Sequence, residues 1–373
     1  MVGERETGNE TYTTNLLRGL AQQPGADRYL CLSPHPARLR ALDLPANFEP
    51  VRVWPAPSLI RVPVATPIAV RREKADLLHM TTYVAPPWSP CPMVVTIHDL
   101  SFLEYPNAFS WRVRTMLTTL VPGSVKRAAR VIAVSEWTKR DLIRRFGVPP
   151  EKIAVTPEAP PPGFRPMPDA RRRPLPPGVA EPFVLAVGNL EPRKNLARLI
   201  EAFGLAVRRQ PGFSGQLVLV GKAQRRAGDV ERAVRESGVE SRVVFTGFVS
   251  HDELTLLYNR ASLFVYPSLY EGFGLPPLEA MACGCPVLAS NATAMPEVLG
   301  DAALLVNPLS VEEMAQGMIA VLDQPDLAAG LREKGLQRAA GYSWEATAAR
   351  TREVYAQVLS PSPARGGGQG GGS

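Results

Sequence analysis

Cysteine is scarce: Cys31, Cys91, Cys283 and Cys285 are the only four in 373 residues. They are too few for a disulfide framework in so long a chain, and none forms the C-x-x-C pair of a zinc site. Long apolar runs are missing as well. No stretch approaches the roughly 18 residues of a membrane-spanning helix, and the opening Met-Val-Gly-Glu-Arg-Glu lacks the apolar region of a secretory leader. The expectation is a soluble, cytoplasmic protein with reduced thiols. An acidic surplus is also absent: 42 Lys and Arg against 35 Asp and Glu leave a net charge of +7. That balance suits a phosphate-bearing or other polyanionic partner without choosing among them. No Asp-x-Asp pair offers two carboxylates to a divalent metal. With 45% hydrophobic and 21% charged residues, wholesale disorder is excluded. The length predicts two domains, each with its own core.

What is present is alternation. A helical stretch at 14–20 precedes short apolar segments at 28–32, 76–80, 93–98 and 130–134, with a long helical stretch at 108–129 between the last two. Strands alternating with helices predict a parallel sheet covered on both faces. Residues 157–182 are dense in proline, include Arg171, Arg172 and Arg173, and lack periodicity, so they read as a joint between domains. The alternation then restarts, with strands at 183–187, 217–220, 243–245, 263–266, 286–289 and 303–306. Helices are predicted at 196–208, 229–237 and 252–261, and a last one at 344–359. Residues 360–373, rich in Pro, Gly and Ser, are expected to be a disordered tail. Two doubly wound α/β domains place ligands outside the carboxyl ends of their strands, in the cleft between them.

The informative residues follow strands. After 183–187 comes Gly188-Asn189-Leu190-Glu191-Pro192-Arg193-Lys194-Asn195, then a helix. Two cations, free N–H groups and a helix dipole together favour a phosphate. A solvated Arg-Lys pair is the plain alternative, and the strand-end position tells against it. After 263–266 comes Ser268-Leu269-Tyr270-Glu271-Gly272-Phe273-Gly274-Leu275-Pro276-Pro277-Leu278-Glu279. Gly272 and Gly274 allow close backbone approach to a ligand. Pro276 and Pro277 suit a helix start, which puts Glu279 in the first turns. A dipole effect explains Glu279 but not Glu271 among its glycines. In the first half, His98-Asp99 ends a buried strand. His35, His79 and His251 read as structural or surface residues.

The two glutamates in this loop, with seven residues between them, resemble the motif of glycosyltransferase family 4, retaining sugar-nucleotide transferases with the GT-B fold. Gly188 to Asn195 resembles that family's phosphate-binding turn. Gly247-Phe248-Val249 with Glu253, Leu254 and Tyr258 resembles its base-proximal loop and helix. Val134-Ser135-Glu136-Trp137-Thr138-Lys139-Arg140-Asp141 resembles the end of its N-terminal sheet. The likeness runs from about Gly8 to Leu359.

The resemblance implies two Rossmann-like domains: 1–165 on the acceptor side, a joint at 166–181, 182–342 for the donor, and a helix at 343–359 packing back on the first domain. It implies that Arg193 and Lys194 bind the donor diphosphate and stabilise it as it leaves, without metal or cofactor. Charge developing on a leaving phosphate is stabilised by such fixed cations. Glu279 would accept from the ribose hydroxyls and Glu271 would lie beside the sugar. Gly272, Phe273 and Gly274 would offer backbone amides, with Leu275 beside them on the donor; Gly188 would belong to the phosphate-binding turn, and Gly221, Lys222, Phe248 and Val249 would line the nucleoside pocket. His98 would face the acceptor side, as a proton carrier or a positioning group, and Gly8, in a loop over 3–12, would approach the phosphates. The family carries a strand ahead of that loop; the sequence opens at the loop, so a first domain without that strand is expected. Pro160-Pro161-Pro162-Gly163-Phe164 stands where the family more usually has Gly-Val-Asp.

The implied reaction moves a hexose from a nucleotide-diphosphate donor to a hydroxyl of a saccharide or lipid-linked acceptor, GDP-mannose being narrowly preferred to a UDP-sugar. A same-fold epimerase or phosphorylase and a non-catalytic nucleotide-sugar-binding module are the alternatives. No nucleic-acid reader motif accompanies the basic charge. Trp111, Arg112, Arg114, Lys126, Arg127 and Arg130 form a basic, partly apolar stretch. Peripheral contact with the inner face of the membrane is weighed there against an ordinary exposed helix, and the ordinary helix is preferred.

Overall fold

Aliphatic runs without polar alternation must be buried on both faces, and here they form the centres of parallel sheets. The computed structural model describes residues 8–55, 57–222 and 228–360. In the first half the strands are β1 (Tyr29–Ser33), β2 (Phe48–Arg52), β3 (Leu78–Met80), β4 (Met93–Ile97), β5 (Arg130–Ala133) and β6 (Ile153–Val155). In the second they are β7 (Phe183–Val187), β8 (Gln216–Val220), β9 (Val243–Gly247), β10 (Leu263–Tyr266), β11 (Val287–Ser290) and β12 (Leu304–Val306). Among the described residues the first half has two separate sheets, β1-β2 and β3-β4-β5-β6, whereas the second has one, in the order β12-β11-β10-β7-β8-β9. All pairings are parallel.

The second sheet is a doubly wound one whose order reverses between β7 and β10. Alternate residues of β7 serve opposite layers. Val184 and Ala186 pack with Leu199, Ile200 and Phe203 of the helix Leu196–Arg209. Phe183 and Leu185 pack with Leu257, Tyr258, Leu278 and Met281. In the first domain, Leu117, Val121 and Val125 of the helix Trp111–Arg127 cover Val95, Ile97, Val131 and Ala133. The opposite face of β4 and β5 meets Val354 of the last helix, Trp344–Leu359. That helix is tied to the first half by Tyr355 Oη to His79 Nδ1 at 2.7 Å and Thr347 Oγ1 to the Pro157 carbonyl at 2.6 Å.

Several elements differ from the sequence reading. The loop expected over 3–12 is helical from Gly8 onward, in the helix Gly8–Ala21, whose first turn carries Glu10 against the helix dipole. Residues 1–7 lie outside the described residues, as do 361–373 of the expected tail. The stretch 134–141, read as the end of a sheet, is mostly a helix, Glu136–Phe146, because Ser135 accepts from the Thr138 N–H and caps it. Strands β2 and β6 and the helices Val311–Asp323 and Pro325–Ala340 were not anticipated.

Candidate active site

In a doubly wound sheet the point where strand order reverses opens a crevice at the carboxyl ends of the strands. Strands β7 and β10 flank that point here. The turn after β7 is a 3-10 turn, Pro192–Lys194, closed by Asn195 at φ 59°. Buried Asn195 donates to the carbonyls of Pro267 (3.1 Å) and Pro308 (2.6 Å), so it fixes the turn against the loop after β10. The Leu269 N–H to the Arg193 carbonyl, at 2.9 Å, adds a second tie.

These ties bring together residues 77 or 78 positions apart. Glu271 Oε1 lies 2.8 Å from Arg193 Nη1 and 2.6 Å from Lys194 Nζ. It also accepts from Ser268 Oγ (2.5 Å) and Tyr266 Oη (2.9 Å). Arg193 is held further by the Tyr270 carbonyl (2.7 Å) and Glu191 (2.8 Å), and Lys194 by Tyr266 Oη (2.7 Å). Burial alone would raise the Glu271 pKa. Arg193 and Lys194 overcome it and hold the carboxyl at about 2. Burial pushes the Lys194 ammonium down despite Glu271. A phosphate entering here meets two cations already aimed by a carboxylate that it can replace as their partner.

The next loop residues are placed by their backbone. Gly272 is buried, and a β-carbon there would overlap the carbonyl oxygen of His98. Gly274, at φ 104°, starts the helix Leu275–Ala282. Phe273 is buried with its ring 5.6 Å from that of Tyr342, so only its backbone serves the cleft. Glu279 accepts from Tyr258 Oη at 3.0 Å, and burial pushes its carboxyl up to about 7. At the end of β8, Gly221 abuts the Gly188 carbonyl so closely that a β-carbon would not fit. The Lys222 ammonium lies 5.0 Å from the Phe248 ring centroid, Phe248 is exposed and Val249 is half-buried. Gly8 stands one helical turn ahead of Tyr12, whose ring meets His98 edge-on at 4.6 Å.

His98 has both ring nitrogens engaged: Nδ1 with Glu158 Oε1 at 2.8 Å and Nε2 with the Thr81 carbonyl at 2.9 Å. A carboxylate and a carbonyl only accept, so both nitrogens donate and the ring is an imidazolium. Burial opposes that charge, but Glu158, the Thr81 carbonyl and Asp99 together raise the His98 pKa. His79 is the contrast: its partners are the hydroxyls of Tyr355 and Thr96, and burial pushes it down to about 3. His98 is thus a fixed cation, with no free lone pair to act as a base. Its charge is present below its raised pKa and lost as pH rises through it. Replacing Glu158 by Gln should move the alkaline limb of the pH–rate profile to lower pH. An unmoved limb would show that another group sets it.

The loop also locks the two domains. The Gly272 carbonyl accepts from Ser135 Oγ (2.5 Å) and Thr138 Oγ1 (3.2 Å). Tyr270 Oη donates to Asp141 and accepts from the Leu100 N–H. Glu297 accepts from the N–H groups of Glu136 (2.7 Å) and Trp137 (2.9 Å), at the start of a helix in the first domain. Sequence reasoning did not single out Glu158, Tyr270, Asp141, Glu297, Tyr266 or Ser268 as site residues. Tyr270 and Ser268 stood inside the quoted loop, and Asp141 inside the quoted 134–141 stretch.

Residues 169–338 match the family described as glycosyl transferases group 1, and residues 7–159 the one described as glycosyltransferase family 4. The O-antigen chain mannosyltransferase B of Escherichia coli is 33% identical over 266 residues, 70% of this chain and 69% of that protein. The MMP alpha-(1->4)-mannosyltransferase of Mycolicibacterium hassiacum is 30% identical over 353 residues, 87% of this chain and 82% of that protein. Some curated relatives are much longer, and the chain spans only 22% of one of them. The crystal structure of HepE from Anabaena, in complex with UDP and glucose, superposes with a TM-score of 0.73 at 20% identity. It covers 95% of this chain and 97% of that one, a likeness of fold.

Proposed function

The chain belongs to the group 1 glycosyl transferases of family 4, and from that premise we propose that it transfers a mannose-type hexose from a nucleotide-diphosphate donor to a hydroxyl acceptor, with retention at the anomeric carbon. The observation that carries the reading is the pair Arg193 and Lys194, both on Glu271 at the switch point. A leaving diphosphate gathers negative charge on its oxygens, and cations already oriented there stabilise the transition state more than the ground state. In this reading the pair makes a divalent ion unnecessary. Glu279 takes the ribose hydroxyls, and the Gly272 loop presents the sugar to His98 across the cleft.

Both relatives are mannosyltransferases, which favours mannose as the sugar, and the UDP bound in HepE supports a nucleoside diphosphate as its carrier. GDP-mannose is the first donor to test, with UDP-sugars next. The acceptor is a saccharide or lipid-linked saccharide. The four cysteines are free, which suits a reducing cytoplasm. No helix among the described residues is long and apolar enough to cross a membrane.

A thermal-shift screen of nucleotide sugars in EDTA tests the donor site. A ligand at 100 times its Kd should stabilise the fold by about 2.7 kcal/mol, and Glu279→Ala and Arg193→Ala should lose the response. Because Glu279 titrates near 7 and its charged form accepts the ribose hydrogen bonds, donor affinity should weaken as pH falls below 7. Glu279→Gln should flatten that dependence. A shift without turnover would favour the binding module, and sugar interconversion without acceptor would favour an epimerase. A response that needs a divalent ion would refute metal independence.

A further inference from the structure

Exposed large apolar residues concentrate in the first domain. Trp54, Ile60, Val64 and Ile68 are 65%, 51%, 49% and 56% exposed. The last three recur every fourth residue along one helical run, Ser58–Ile60, Arg61–Ala65 and Thr66–Arg72. That spacing lines them along one side, while Pro67, Ala69 and Val70 are buried on the other. The helix Trp111–Arg127 is built the same way, with Trp111, Val113 and Leu120 exposed and Leu117, Val121 and Val125 buried.

Val70, Leu117, Val121 and Val125 share one core cluster with Val95, Ile97, Val131 and Ala133 of β4 and β5. Both helical runs therefore bury residues in the one core cluster that lies on the sheet face opposite Val354. No Asp or Glu occurs in residues 58–72 or 111–127. Arg71, Arg72, Arg112, Arg114, Lys126 and Arg127 are exposed on them. Of these, Arg72 pairs with the adjoining Glu73 at 2.9 Å. Two of the outward tryptophans carry an arginine: Arg52 lies 5.5 Å from the Trp54 ring centroid and Arg112 5.4 Å from that of Trp111.

A protein partner's interface tends to be depleted in charge at its centre. Here cations are interleaved with isolated apolar side chains and tryptophans, the composition of helices lying in a lipid interface. Nucleic acid would use the charge but leave the apolar row in water. We infer that the outer side of these two helical runs docks on a bilayer bearing anionic phospholipid, with Ile60, Val64, Ile68 and Trp111 entering the headgroup region while the arginines take up phosphate. This goes beyond the proposed transfer reaction and does not depend on it.

The test is flotation of the full chain with vesicles of phosphatidylcholine alone or mixed with phosphatidylglycerol. The chain should float with the mixed vesicles only, and less as salt rises. A triple variant, Ile60→Ser with Val64→Ser and Ile68→Ser, should lower the bound fraction about tenfold or more. Arg71→Glu with Arg112→Glu should do the same. Both should keep the parent melting temperature and donor response, which separates this inference from the fate of the transferase reading. Equal flotation with neutral vesicles, or none with either, would overturn it. So would specific capture of a protein by this face with no vesicle binding.

Discussion

In Arg193→Ala, kcat/KM for sugar transfer is expected to fall by about two to three orders of magnitude. Arg193 is not a lone charge near the site. Its fork spans the Tyr270 carbonyl, Glu191 and Glu271, so the guanidinium keeps one orientation before any donor arrives. Arg193→Lys keeps the charge but not the fork, and its loss should fall in between. Stability responds differently. With Arg193 gone, Lys194 still pairs Glu271, so the fold should survive. With both cations gone, a buried carboxylate stands uncompensated, at a cost of about 3–5 kcal/mol, and Glu271→Gln in that background should restore much of it. The sign with pH follows from the depressed Glu271 pKa. Its stabilisation is present above the ordinary carboxylate value and is lost as pH falls toward about 2. In Arg193→Ala that pKa rises, so acid unfolding should begin at higher pH. Steady-state kinetics beside acid titrations followed by circular dichroism would check both, and a kcat/KM near the parent value would remove Arg193 from the chemistry.

Gly272→Ala should lower kcat/KM by about a hundredfold, for a reason of space and not of charge. The added β-carbon would overlap the His98 carbonyl oxygen and lie 2.9 Å from Asp99 Cβ. Neither neighbour is a flexible chain end. Either the loop carrying Tyr270 and Glu271 retreats, or the domains part and the bonds from Ser135 and Thr138 to the Gly272 carbonyl break. Arg193, Lys194 and Glu279 stay on the second domain, so donor binding by thermal shift should persist while turnover collapses. Small-angle scattering should find the donor-bound variant more open than the parent. Parent-like turnover would mean that this contact is not part of the working state.

Why the sequence reached some of these features and not others has physical reasons. Strands β4 and β7 are five-residue runs without a charged residue, four or all five of them buried, followed by turn residues, a pattern with little competition. Strand β2, Phe-Glu-Pro-Val-Arg, carries a proline and buries chiefly Phe48, so it offers neither alternation nor a solid apolar run. Strand β6 is three residues long. The cluster of Arg193, Lys194 and Glu271 was approachable because each follows a strand, and strand order does the rest by setting β7 beside β10. Glu158 sits between Pro157 and Ala159-Pro160, in a stretch whose prolines read as a joint. Its partner, His98, is 60 residues away, and nothing local announces an acid that will be buried. The latch of Tyr270 on Asp141 spans 129 residues and exists only once two domains face each other.

The chain passes between its domains twice, once through the proline-rich stretch and once just before Trp344. Trp344 Nε1 donates to the Pro160 carbonyl at 3.1 Å, and Thr347 to that of Pro157, so the two passages are pinned side by side. A single tether lets one body swivel, twist and slide against another. Two tethers pinned together act as the spine of a book and leave chiefly one motion, opening and shutting the covers. Such a movement would return Gly272 to the same page opposite His98 each time the covers shut.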